Sequence, residues 1–542
     1  MKKSNQAFHL LIIVIAMAIT SPIIAQQKSK PNILFFAVDD LKPILGCYGN
    51  TQIKTPNIDR LAKMGTVFNS NYCQQAVCGP TRASIMTGKR PDNTGVWDLK
   101  TRMRDVHPDI LSLPQHLITQ GYSTQGIGKI YDNRCVDKQM DAPSWSVPYY
   151  NYFKTEEKYY AKETGAPLSG QYQSLESKEL AAKFRKEAQD KGMNEKEIDD
   201  YVSKSVKPAV ECVDVPDNAY NDGANALRAI EILEKLKSET QPFFFAVGFS
   251  KPHLPFVSPK KYWDLYNRED IPVAAFQEQP KNSVDVAFHN SGEIRAYTDI
   301  PTLLSFTDQK EFGITLPLDK QKELIHGYYA AISYMDAQVG KVLDKLEALG
   351  LTKNTIIVLW GDHGWHLGDH NLWCKHTNFE QATRTPLIIA APGIEPTTSD
   401  SPSEFVDVFP TICDLAGVKI PDVLDGKSLK PLMDKSAQSV KDFSISQYPR
   451  SGTKSETERQ GYASSKVMGY SLRDKRYRYT IWMGNDFRST QAYNENLVIG
   501  TELYDYDKDP NETVNVADDA VYQSVAKDLK TRMIAFLASQ VK

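Results

Sequence analysis

The chain has 542 residues, 41% of them apolar and 24% charged, with a formal net charge of −3. That length and balance suit a globular protein with a large buried core and exclude a low-complexity or disordered chain. So small a charge on so large a surface argues for neither a nucleic-acid nor a membrane-surface partner.

In chain order, Lys2 and Lys3, the apolar run Leu10 to Ile19 and the break at Ser21-Pro22 read as a signal peptide over residues 1–25. Spanning a bilayer takes roughly 20 apolar residues, so no membrane anchor is expected, and the mature protein is expected to be exported, periplasmic or secreted. Asn32 to Val38 is a short, unbroken apolar run between Pro31 and Asp39-Asp40, the pattern of a fully buried parallel strand. Residues 150–212, rich in Lys, Glu and Tyr, read as a solvated helical insertion, either surface decoration or a lid beside a site. Further strand-like runs follow at Pro242 to Gly248, Thr355 to Trp360 and Pro386 to Ala390. Between the first two lies a helix from Tyr328 to Leu349, with apolar residues at Ile332, Met335, Val339, Val342, Leu343 and Leu346. Strands alternating with helices predict an α/β domain over 26–434 with a mostly parallel central sheet, its functional groups at the carboxyl ends of strands. From 435 the pattern changes. Two strands around Asp474-Lys475, a strand and turn from Leu503 to Pro510 and a helix from Ala520 to Ser539 predict a smaller α+β unit over 435–542.

Chemistry enters at two strand ends. Asp39-Asp40 follows one buried strand and Asp362-His363 another. Paired carboxylates suit a hard cation such as Ca2+, whereas the imidazole fits softer metals better. Asp at a strand end also serves simply as a cap or turn residue. His366, His370 and His376 near Asp362 raise zinc as an alternative. The seven cysteines (Cys47, Cys73, Cys78, Cys135, Cys212, Cys374 and Cys413) are odd in number, so at least one is free, modified or intermolecular, and disulfides are permitted in an exported chain.

Cys78-Gly79-Pro80-Thr81-Arg82, followed by Thr87-Gly88, closely resembles the signature of the type I, formylglycine-dependent sulfatases. The likeness extends over nearly the whole mature chain. It includes Pro31 to Asp40, Thr55 to Ala62, Gly128-Lys129, Lys251 to Phe256, Gly361 to Gly364 and Trp373 to Glu380. Gly248 to Phe256 and Lys375 to Glu380 resemble the iduronate-2-sulfatase branch most.

The resemblance implies an alkaline-phosphatase-like fold, conversion of Cys78 to formylglycine by a maturation enzyme, and one Ca2+ held by Asp39, Asp40, Asp362, His363 and the modified Cys78. It implies that the hydrated aldehyde attacks sulfur, that Arg82, Lys129 and Lys375 bind sulfate oxygens or steady the diol, and that His253 protonates the leaving sugar oxygen. The substrate implied is a sulfated carbohydrate, a polysaccharide or oligosaccharide containing uronic acid. His376 is placed near the leaving group and Trp365 along the sugar subsite. One position departs from the pattern: Asp132 stands where the family carries a His after Gly-Lys. Asp132 acts as a base itself, or the pocket is shifted, or His366 or His376 substitutes. The rival functions are a phosphoester or phosphonate monoester hydrolase of the same superfamily and a non-catalytic glycan-binding protein.

Overall fold

A computed structural model describes residues 30–149, 155–301, 313, 315–450, 467–484 and 493–540. The signal peptide expected over 1–25 lies outside them. No helix among the described residues is long and apolar enough to cross a membrane.

The central sheet has seven strands: β1 (Asn32–Val38), β2 (Thr66–Phe68), β3 (Ser123–Ile127), β4 (Phe243–Phe249), β5 (Thr355–Gly361), β6 (Leu387–Ala390) and β7 (Thr397–Ser399). Their spatial order is β7-β2-β6-β5-β1-β4-β3. β1 runs parallel to both β4 and β5, and β3 parallel to β4. The apolar run at Pro386 to Ala390 forms β6, but antiparallel to β5 rather than parallel, with Leu387 opposite Trp360. The reason lies in the connection. Between β5 and β6 the chain makes a two-residue-deep ribbon, a 3-10 turn at Asp369–Asn371 and the short helix Glu380–Thr383, so there is no long crossover helix to carry it to the far end of the sheet.

The longer helices are α1 (Cys78–Thr87), α2 (Leu175–Asp190), α3 (Glu195–Ser205), α4 (Asn221–Lys237), α5 (Leu318–Ala348) and α6 (Gln523–Gln540). Both faces of β1 are buried, which is why its sequence does not alternate. Leu34, Phe36 and Val38 face α4 and α5, meeting Leu233, Ile332, Met335 and Val339. Ile33, Phe35 and Ala37 face the other way, toward Ala83, Ile85 and Met86 of α1. Truncating a side chain such as Phe35 would leave a cavity costing about 3–5 kcal/mol.

The expected insertion is a helical hairpin. Ser174 caps α2, and an Asn194–Glu197 capping box starts α3. The two helices bury Ala181, Ala188, Ile198 and Val202 against each other. The chain leaves through Val210–Val213, a strand the composition did not signal, paired in parallel with Phe256–Pro259.

The last part of the chain is a four-stranded antiparallel sheet: β8 (Ser444–Arg450), β9 (Val467–Arg473), β10 (Tyr477–Met483) and β11 (Val498–Asp505). The β9–β10 turn falls at Asp474-Lys475, where the Asp474 carboxylate accepts from the backbone N–H of Arg476 and Tyr477. α6 packs Leu529, Met533 and Leu537 onto Ile445, Leu472 and Ile481. This unit braces the main one: Arg450 donates to the His376 carbonyl, and Asn378 donates to that of Gly469. All seven cysteines are unpaired.

Candidate active site

Register brings the site together. Val38 lies opposite both Gly361 and Phe249, so the residues after β1, β4 and β5 emerge side by side at one end of the sheet. Asp39-Asp40 and Asp362-His363 therefore meet without any long side chain having to reach. The Asp40 N–H donates to Asp362 Oδ1 (2.9 Å), and the Tyr328 hydroxyl donates to the Asp40 carbonyl (2.7 Å). Asp40 takes a left-handed backbone with φ 56°, as do Cys374 and His376 on either side of Lys375. Each such non-glycine residue costs about 1–3 kcal/mol, and such residues cluster at functional sites.

Cys78 opens α1 beneath these acids. Pro80 lies in the first turn, where a missing N–H breaks no helical bond. Cys78 Sγ is 3.6 Å from Asp39, 3.9 Å from Asp40, 3.5 Å from His363 Nε2 and 3.7 Å from Lys129 Nζ. Burial, then the charges of Asp39 and Asp362, push its thiol well above the usual range despite Lys129 and Lys375. As a thiol it is a poor nucleophile.

Arg82, one turn along on the same face, is fully buried and ties both acid pairs together. Its Nε–H donates to Asp362 (2.9 Å) and an Nη2–H to Asp39 (3.0 Å); Nη1 donates to the carbonyls of Lys129 (2.5 Å) and Ile130 (3.1 Å). Lys129 donates to Asp39 Oδ2 at 2.5 Å. It is placed by a close approach of two chains: a Cβ on Gly128 would lie 2.0 Å from the Gly248 carbonyl oxygen. Lys375 donates to both oxygens of Asp40 (3.1 and 3.0 Å) and to Glu293 (2.8 Å).

His253 sits on a loop between two cis prolines, Pro252 and Pro255. Asp222 accepts from the N–H of Ser250 and Lys251, and the buried Lys251 ammonium donates to the carbonyls of His253 (2.9 Å) and Pro255 (2.8 Å). The His253 Nδ1–H donates to the Leu254 carbonyl, which leaves Nε2 toward Asp40 (3.7 Å) and Glu293 (3.4 Å). His363 is oriented the same way: Nδ1–H donates to the Gly364 carbonyl (3.0 Å), so the Nε2 lone pair faces the acids.

Charge in this cluster is tightly contested. Burial opposes ionising Asp39, but Lys129 and Arg82 hold its carboxyl well below the usual range. Burial raises Asp40 to about 7, with Asp39 and Glu293 adding to the rise and Lys375 and His363 opposing it. Burial pulls His253 down to about 4, with Lys375 pulling the same way. The donor set suits a divalent cation. One ligating atom from each of Asp40, Cys78, Asp362 and His363 lies within 4.8 Å of the others, and the same holds for Asp39, Asp40, Cys78 and His253. Oxygen ligands stand about 2.3–2.6 Å from Ca2+, so one ion can touch such a set at once. A cation there would also offset the burial and like charges that raise Asp40.

Nine of the expected residues thus converge: Asp39, Asp40, Cys78, Arg82, Lys129, His253, Asp362, His363 and Lys375. Four of them, Cys78, Lys129, His253 and Lys375, line a cavity of about 520 Å3, together with Asp132, Arg134, Lys207, Glu293, Tyr297 and His376. Trp365 is not among its walls. It is fully buried, stacked on Tyr328, with Lys375 4.8 Å above its ring, so it supports the lysine rather than the sugar. Asp132 reaches the cavity but is clamped by Arg134, whose Nε–H and Nη2–H donate at 2.8 and 2.7 Å. Burial notwithstanding, Arg134 and Lys129 bring Asp132 down to about 2, and its carboxylate is engaged by Arg134. His366 cannot stand in for the absent imidazole, being buried against Thr377. No zinc cluster forms around it: the candidate metal groups among the described residues are the two above. The sequence reading missed Glu293, which bridges Lys375, His253 and His376 from the short helix Gly292–Arg295. Nothing around it in the sequence marks it out.

The comparisons agree with this arrangement. The family model described as Sulfatase matches residues 31–418, and that of the N-sulphoglucosamine sulphohydrolase C-terminal region matches 368–539. Iduronate 2-sulfatase of Mus musculus is 32% identical, covering 92% of this chain and 93% of the relative. A sulfatase of Formosa agariphila is 30% identical over 94% of this chain and 87% of its own. Among solved structures, a protein in complex with its substrate D-glucosamine-2-N,6-O-disulfate matches with a TM-score of 0.66 at 22% identity, covering 94% and 98% of the two chains. A phosphonate monoester hydrolase from Silicibacter pomeroyi matches with the same TM-score and identity, covering 94% and 96%. The fold is the alkaline-phosphatase-like one, and the chain belongs to the sulfatase family, as an iduronate-2-sulfatase-like enzyme.

Proposed function

We propose that the protein hydrolyses sulfate esters on a uronic-acid-containing polysaccharide or oligosaccharide, with Cys78 converted to formylglycine and one Ca2+ held by Asp39, Asp40, Asp362, His363 and that residue. The observation that carries this is the convergence on Cys78 of three acids, His363 and three buried cations, at one end of the sheet. Ca2+ would supply positive charge beside the reacting oxygens, and the hydrated aldehyde would supply an oxygen nucleophile that a thiol at this buried position does not. Lys129 and Lys375 flank Cys78 and pair with its neighbouring acids, so sulfate oxygens entering here meet ammonium groups already fixed in place. Arg82 keeps the acid pairs in register from below. His253, its Nδ1–H committed to Leu254, presents Nε2 to the cavity and transfers a proton from that atom to the leaving sugar oxygen. The incoming sulfate brings negative charge that raises the low proton affinity of His253 when it is needed. The uronic-acid clause rests on the iduronate 2-sulfatase relatives. We also take the chain to be exported, with a catalytic domain over 26–434 and a smaller domain over 435–542.

Protein co-produced with a formylglycine-generating enzyme should cleave members of a panel of sulfated oligosaccharides, and Cys78→Ala should not. Mass spectrometry of the Cys78 peptide should show the thiol replaced by an aldehyde. Full activity in Cys78→Ala, or a large preference for aryl phosphates or phosphonates over sulfates, would overturn the reading. Cell fractionation tests export.

A further inference from the structure

Two cations in the active-site cavity play no part in the chemistry above. Lys129 and Lys375 are paired with acids of the cluster; Lys207 and Arg134 are not. Lys207 follows α3 directly, at the exit of the helical insertion. Its carbonyl accepts from Thr298 N–H (2.9 Å), which fixes its backbone to the cavity wall, and its ammonium lies 4.5 Å from the centre of the Tyr297 ring. Among the described residues no carboxylate pairs with it. Half-burial pulls its pKa down and only the more distant Glu293 supports its charge. Arg134 comes from another segment. Asp132 takes one edge of its guanidinium, the Nε–H and an Nη2–H, and the side chain remains half exposed (50%) in the cavity wall. The other edge of the planar fork still carries parallel N–H groups, the arrangement that matches a carboxylate or sulfate. Asp132 is thus a positioning residue for Arg134, and this cation occupies the wall where the expected imidazole is missing.

We propose that Lys207 and Arg134 form a second anion subsite in this cavity, which takes a further negative group of the substrate sugar, a carboxylate or a second sulfate, while the cradle around Cys78 takes the sulfate to be cleaved. The proposal rests on the sulfatase reading and gives the helical insertion a role, that of delivering Lys207 to the substrate.

The test uses the full, matured chain with its cation. kcat/KM is measured on a methylumbelliferyl sulfate, a sulfated uronide, its carboxyl-reduced counterpart, which keeps the sulfate alone, and a disulfated sugar with no carboxyl. Charged hydrogen bonds of this kind carry roughly 10- to 100-fold in affinity. Lys207→Met and Arg134→Gln should each lose about that factor on the doubly charged sugars, mainly through KM, and at most about threefold on the aryl sulfate and the carboxyl-reduced sugar. Lys207→Arg should restore most of the loss. Loss on the uronide assigns the subsite to a carboxylate; loss confined to the disulfated sugar assigns it to a sulfate. Equal losses on all four substrates, or none on either doubly charged sugar, would overturn the subsite while leaving the sulfatase reading intact. A wild-type protein that cleaves no sulfate ester would overturn the sulfatase reading itself.

Discussion

Replacing Arg82 with Met removes a fully buried charge while keeping most of its volume. In the wild type the guanidinium donates to Asp39, Asp362 and two backbone carbonyls and lies 5.3 Å from the centre of the Trp360 ring. Met fills much of that space but leaves two carboxylates and two carbonyls facing an apolar side chain. Breaking a buried pair from one side costs about 3–5 kcal/mol, on the order of a 5 °C fall in melting temperature for a chain this long. The cost should depend on pH in a defined direction. With Lys129, Arg82 holds Asp39 well below its ordinary pKa, so its loss weakens that depression. A carboxylate held below its unfolded value contributes stability that is lost as pH falls through the folded value, so the part owed to Arg82 disappears in acid. Melting curves of Arg82→Met and wild type, both without divalent cation, should therefore stay apart from about pH 8 to pH 5 and converge as pH falls below about 4. A gap as large at about pH 3 as at about pH 7 would mean that Arg82 matters through packing, and the electrostatic account would fail.

Three further outcomes are expected. Calcium should raise the melting temperature, and by more as pH rises from about 5 to about 8, because Asp40 with its pKa near 7 must lose its proton to bind a cation; a calcium effect independent of pH would contradict this. Lys251→Met should lower kcat about tenfold or more by freeing the His253 loop, while the calcium-induced stabilisation stays within about 1 °C of wild type; kinetics and melting curves on the same samples decide it. Glu293→Gln should lower kcat/KM about tenfold, since it removes a partner of Lys375, His253 and His376, and unchanged kinetics would refute a role for that bridge.

The parts of the site that the sequence exposed share one property: each sits on a local pattern. An apolar run followed by acids marks Asp39-Asp40 and Asp362-His363, and a parallel register is enough to join them. The Cys-Pro-Arg spacing places Cys78 and Arg82 on one face of one helix. Residues placed by long-range packing were harder to read. Glu293 and Lys207 reach the cavity from segments with no motif. Trp365 lies three residues beyond Asp362 and looked available to a ligand, yet Tyr328 and Phe256, distant in sequence, close over it. The direction of β6 likewise depended on what the intervening chain failed to build, not on the apolar run itself. Asp132 was visible as a departure, but only the geometry shows that its carboxylate is spent on Arg134.

Cys78 touches the cavity with only 2% of its surface exposed, and Pro80 and Arg82 are buried beneath it in the finished fold. Another protein cannot grip that stretch without unmaking the end of the sheet above it. Under the proposed conversion of Cys78, the enzyme that carries it out would have to meet this stretch before folding is complete. On that proposal activity would be decided by a race between an outside enzyme and the chain's own collapse, and a molecule that folded first would stay in an idle form that later exposure to that enzyme could not rescue.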